Sequence, residues 1–84
     1  MNRDHIFKIV IDIAIQLDST GKTMTFDQLA TEINKRAHEN YSGGRGIATV
    51  VSLSYDYAIN NYNQSTANIV ANVYRDRNGE FAYK

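Results

Sequence analysis

Cysteine, proline and tryptophan are all absent from this sequence. Without cysteine there is no disulfide framework, no zinc-finger spacing and no thiol nucleophile. A chain of 84 residues must then hold itself together by packing alone. The same absence suits a reducing, cytoplasmic setting. Without proline the chain reads as mostly regular elements joined by short turns. Charge of one sign is missing too. Nine basic and nine acidic residues give a formal net charge of zero, whereas nucleic-acid-binding domains usually carry a basic excess. Local clustering of the cations therefore matters more than their total. Long apolar runs are also lacking. Residues 6–17 are broken by Lys8, Asp12 and Gln16, well short of the ~20 residues of a membrane span. No small-residue cleavage site follows them, so no membrane association is expected.

Catalytic constellations are the next absence. His5 and His38 fall on different helical segments with no paired acidic spacing, so no metal site is expected. No nucleophile-elbow pattern occurs. The run Gly43-Gly44-Arg45-Gly46 lacks the Lys-Ser/Thr of a P-loop and the third glycine of a dinucleotide fingerprint. A chain this short offers little room for a pocket of about 300 Å3 or more. These features predict a protein that is not an enzyme, takes no cofactor and has no evident small-molecule substrate.

What is present is helical periodicity. The chain reads as one domain over residues 1–84, with one modest core. Asp4 can cap a first helix over residues 4–18. Ile6, Ile9, Val10, Ile13, Ala14 and Leu17 form its stripe, widened by Phe7, Ile11 and Ile15. That arc is roughly twice the width of an ordinary surface helix. Either the helix is central and covered on most sides, or the flank Phe7, Ile11, Ile15 meets another chain, making a homodimer or a protein complex. Ser19-Thr20-Gly21 ends it, with Gly21 able to turn left-handed. Residues 22–25 have room for one minor strand. Thr25 and Gln28 then form a capping box, and Phe26, Leu29, Ala30, Ile33 and Ala37 define a second helix over residues 26–38. Glu32 and Arg36 can pair at i, i+4. Lys35, Arg36 and His38 complement its C-terminal end.

After the break at residues 39–44, a third helix runs over Arg45–Asn61. Ile47, Val50, Val51, Tyr55, Ala58 and Tyr62 share one face at about 100° per residue. Arg45, Thr49, Ser52, Asp56 and Asn60 line the other. Ser54, small and on the buried face, predicts close approach by another helix. The tail is ambiguous. Asn78-Gly79 is a strong hairpin signal, with candidate strands at 69–74 and 80–84. Equally, Ser65 could cap a short helix with Ala67, Val70, Ala71 and Tyr74 at helical spacing, leaving only Phe81-Ala82-Tyr83 to pair with Thr23-Met24-Thr25.

The segment Gly21-Lys22-Thr23-Met24-Thr25-Phe26-Asp27-Gln28-Leu29-Ala30 supplies a turn, a strand and a capped helix with a Leu-Ala pair in its first turn. Followed by a longer helix and a hairpin, it resembles the winged-helix branch of helix-turn-helix DNA-binding domains. The resemblance implies an α+β, mainly α fold: a three-helix winged-helix-like core with a small antiparallel β element at the C-terminus. It also implies that Arg45–Asn61 reads double-stranded DNA in a transcription-regulating role. Arg45, Thr49 and Ser52 would face base edges. The amides of Gly44 and Gly46 would hold a phosphate. Arg75 and Arg77 would contact phosphate or the minor groove, and Lys22 and Lys35 would add backbone contacts. The alternative is a protein-interaction module or small inhibitory protein on the same scaffold. Tyr41, Tyr57, Tyr62, Tyr74 and Tyr83 would then be candidate anchors.

Overall fold

A computed structural model of the protein describes residues 3–38 and 45–80. In chain order these form α1 (Arg3–Ser19), β1 (Met24–Thr25), α2 (Phe26–Ala37), α3 (Arg45–Asn61), α4 (Gln64–Val73) and β2 (Tyr74–Arg75). The architecture is mainly helical, with a two-stranded sheet attached.

α1 explains its own wide apolar arc. Ile6, Ile9, Val10, Ile11, Ile13 and Ala14 are all buried, because α2, α3 and α4 each pack against this helix. The helix begins at Arg3, so Asp4 sits in its first turn and favours the dipole rather than capping it. The end is set by glycine. Gly21 takes φ +67°. The amide of Lys22 donates to the Leu17 carbonyl at 2.9 Å and that of Gly21 to Asp18 at 3.1 Å, the bond pair of a Schellman stop.

α2 starts as its sequence dictates. The Gln28 amide donates to Thr25 Oγ1 at 3.3 Å and the Thr25 amide to Gln28 Oε1 at 3.0 Å. Phe26, Leu29, Ala30, Ile33 and Ala37 are buried. The helix stops at Ala37, and His38 is its cap, held left-handed at φ 56°.

α3 buries Ile47, Val51, Ser54 and Ala58 along one stripe and packs most extensively on α4 and α1. Ser54 is fully buried, and its hydroxyl is satisfied by donating to the Val50 carbonyl at 2.7 Å. Tyr62 lies past the end of α3 and is 43% exposed, outside the buried face predicted for it.

Of the two readings open for the tail the helix is the one observed, while its expected cap and the expected antiparallel β element are corrected. Residues 64–73 are helix, not a hairpin arm, and the cap is Asn63 rather than Ser65: Asn63 Oδ1 accepts from the Thr66 amide at 2.8 Å. Helix wins because it puts Ala67, Val70 and Val73 into the core and leaves Asn68 and Asn72 outside; an extended segment would alternate them. Among the described residues the β element is parallel, not antiparallel, with Met24 opposite Tyr74 and Thr25 opposite Arg75. Three helices intervene between these strands, and that crossover brings β2 in alongside β1 in the same direction. The Asn78-Gly79 turn itself is present. Gly79 N donates to the Asp76 carbonyl at 3.0 Å and Asp76 N to Glu80 O at 2.9 Å. The expected extended segments at 80–84 and 81–83 lie, beyond Glu80, outside the described residues.

Candidate functional site

The outward face of α3 carries Thr49, Asp56 and Asn60, all exposed, with Ser52 half-buried beside them. Gly46 is exposed in the first turn, and beyond its chain neighbours and its own helix backbone a Cβ there would meet nothing within 4 Å. Arg45 is the first residue of this helix; its side chain, and all of Gly44, lie outside the described residues. The one acid on the stripe, Asp56, sits two turns along from Thr49 and would repel a phosphate there.

The other basic residues expected at a DNA surface are not on α3. Lys22 lies between α1 and β1, Lys35 is on α2, and Arg75 and Arg77 are on and just after β2. Acids accompany two of them, Lys35 and Arg77. Glu32 faces both Lys35, at 3.8 Å, and Arg36, at 3.5 Å. Arg77 Nε lies 3.6 Å from Asp27 Oδ2 at the start of α2. The cations of these pairs are solvent-exposed and Glu32 is half-buried, so each pair contributes at most about 1 kcal/mol. Their larger effect is to neutralise the field a phosphate would feel. Lys22 is exposed and borders an open depression of about 350 Å3 lined also by Leu17, Met24, Glu32 and Arg36. A neighbouring one of about 300 Å3 runs along Thr23, Met24, Gln28 and Thr31. The chain thus has more surface relief than its length suggests, in the form of open hollows.

The helix-one flank divides. Ile11 is fully buried within the chain, Ile15 is 41% exposed, and Phe7 is half-buried. What covers Phe7 is Tyr57 of α3, with ring centroids 5.7 Å apart and planes tilted at 48°. Tyr57 in turn lies 6.3 Å from Tyr62. The result is a row of three aromatic rings running from α1 across to the end of α3. Among the described residues, the large hydrophobic side chains most open to solvent are Ile15, Ile59 and Tyr62, on the same two helices or immediately after them. This row was hidden in the sequence, since it joins residues fifty positions apart. Its members are visible singly, Phe7 as a candidate interface residue and Tyr57 and Tyr62 as candidate anchors, but not their meeting.

The other tyrosines divide by burial. Tyr55 is half-buried and its hydroxyl accepts from Gln64 Nε2 at 3.1 Å. Tyr74 is fully buried, which removes it from the candidate anchors; its hydroxyl donates to the Val10 carbonyl of α1. Burial pushes the Tyr74 phenol well above its usual value, only partly offset by the Arg36 guanidinium nearby. Tyr41 and Tyr83 lie outside the described residues. Among the described residues, no three His, Asp or Glu side chains converge as a metal ion would require, and no helix is long and apolar enough to cross a membrane.

Compared with known proteins, the chain matches no family model, no curated protein and no solved structure.

Proposed function

We propose that this protein is a small interaction module that docks a protein partner through the aromatic face shared by α1 and α3. The observation that carries this reading is the Phe7–Tyr57–Tyr62 row, with Tyr62 itself and Ile15 of α1 open to solvent. Tyrosine offers a large, stiff contact area with a polar tip, and it is enriched among residues that dominate binding energy. Zero net charge removes any long-range repulsion between like copies. The first partner to test is therefore a second copy of the chain. Light scattering after size exclusion, over a concentration series, reads self-association. Amide shifts confined to the aromatic row would locate it, and Tyr62→Ala should weaken it by about 2 kcal/mol. Duplex DNA binding at low salt, with shifts at Thr49 and Ser52 and none at Tyr57 or Tyr62, would overturn the proposal.

That outcome would instead favour a DNA-binding, transcription-regulating role. One observation supports it: Gly46 and Thr49 are exposed near the start of α3, where a recognition helix meets base edges. Arg45 would bond guanine, with Ser52 beside it. Gly44 and Gly46 would offer amides to phosphate. Lys35 and Arg77 would exchange the carboxylates of Glu32 and Asp27 for phosphate oxygens, and Lys22 and Arg75 would add backbone contacts. In that reading Arg45→Ala costs about 1–3 kcal/mol of affinity, and an unchanged affinity removes Arg45 from the interface.

A further inference from the structure

Asn78 and Gly79 are both exposed in the turn after β2. An asparagine followed by glycine is open to attack on itself. The Gly79 amide nitrogen can add to the Asn78 side-chain carbonyl carbon, unhindered by any Cβ on residue 79. The new C–N bond closes a five-membered succinimide. The amide proton passes to the departing nitrogen, which leaves as ammonia. Water then opens one ring carbonyl or the other, giving aspartate or isoaspartate. The sequence of steps consumes one water and needs no oxidant, reductant or cofactor.

We propose that Asn78 is a site of this spontaneous modification, and that Asp76 governs its rate. Four bonds converge on Asp76. Gly79 N, the required nucleophile, donates to the Asp76 carbonyl at 3.0 Å, and Asp76 N donates to Glu80 O at 2.9 Å. Asp76 Oδ1 accepts from Asn78 N at 2.8 Å and from Glu80 N at 3.1 Å. Gly79 stands at φ 79°, a conformation this turn requires and glycine supplies freely. The nucleophile is thus committed to another acceptor whenever the turn is closed, and the reaction proceeds from the open turn. Either product places a third carboxylate among residues 76–80. Isoaspartate also adds a carbon to the backbone, which the bond pattern of the turn cannot accommodate. The new charge competes with Asp27 for Arg77, whose Nε now lies 3.6 Å from Asp27 Oδ2, so modification loosens the turn from the start of α2. This inference does not depend on what the α1–α3 face binds.

The test incubates the full chain at neutral pH and follows residue 78 by peptide mapping and mass spectrometry. Three samples are compared: folded wild type, wild type in urea, and folded Asp76→Ala. Conversion in urea should be at least about tenfold faster than in the folded protein, the factor expected of the single backbone bond that holds the Gly79 amide in the closed turn. Folded Asp76→Ala should approach the urea rate, while Asp76→Asn, which keeps an Oδ1 acceptor, should stay slow. Equal rates in folded and unfolded wild type would overturn the proposal, as would no conversion in urea or a slow Asp76→Ala. Hydrogen exchange of the Gly79 amide in wild type gives a readout free of any variant's folding. Its protection should match the slowing of the reaction, and an unprotected amide would overturn the role assigned to the turn.

Discussion

Replacing Tyr74 with phenylalanine removes one oxygen from the centre of the protein and leaves its shape intact. At neutral pH the loss is the hydrogen bond to the Val10 carbonyl, worth about 1 kcal/mol net. The pH dependence is the sharper test. In the unfolded chain the phenol ionises near pH 10. In the folded protein burial raises it well above that, more than the nearby Arg36 charge lowers it. Above pH 10 the unfolded state therefore binds fewer protons than the native state, and stability falls as pH rises. The contribution is complete below the unfolded value and is lost at about 1.4 kcal/mol per pH unit above it. Tyr74→Phe has no such proton at this position, and every other titrating group is common to both proteins. Urea unfolding of the two proteins side by side should find wild type ahead by about 1 kcal/mol at neutral pH. The gap should close above pH 10 and invert near about pH 11. A gap that stays constant through this range would refute the reasoning, because it would mean that the phenol ionises as readily inside the protein as outside.

Other outcomes follow from single positions. His38 is a left-handed cap without the freedom of glycine, so His38→Gly should stabilise by about 0.5–1 kcal/mol, read as a rise in Tm of a few degrees. Asn63→Ala removes the oxygen that accepts from the Thr66 amide and hydroxyl and should cost about 1 kcal/mol; denaturant melts will show whether it does. Ser54→Ala should be close to neutral, since it deletes both the hydroxyl and its need for a partner. Ser54→Leu should cost about 1–3 kcal/mol by overpacking a fully buried position, and a stable Ser54→Leu would mean the helices beside α3 are not closely packed.

Where an element is specified by neighbours in the chain, its sequence is readable. The start of α2 is an example: Thr25 and Gln28 complete their reciprocal bonds within four residues, and the apolar stripe behind them has one period. The stop of α1 at Gly21 and the extent of α3 are legible for the same reason. α4 is different, because residues 69–74 satisfy both a helical and an extended pattern. What decides is the surface offered by α1 and α3, to which the local pattern is blind. Strand direction is more remote still, being set by how three helices pack between Met24 and Tyr74. The candidate surfaces divide the same way. The Glu32–Arg36 pair is visible at i, i+4, whereas Arg77 meeting Asp27 and Phe7 meeting Tyr57 depend on the finished fold.

The pairing of β1 with β2 also bears on how the chain folds. It closes a loop of about fifty residues, an entropic cost of roughly 3–4 kcal/mol before any constant term. Two residues on each side supply too few bonds to offset that from an open coil. The clasp can therefore form only after α2, α3 and α4 have collapsed onto α1 and carried Tyr74 to within reach of Met24. The ring of Tyr74 enters beneath α1 at the same moment, since its hydroxyl and its strand bonds lie in one residue. In folding kinetics, mutations in this clasp should speed unfolding and leave the folding rate nearly untouched: the strands act as a latch, closed last and opened first.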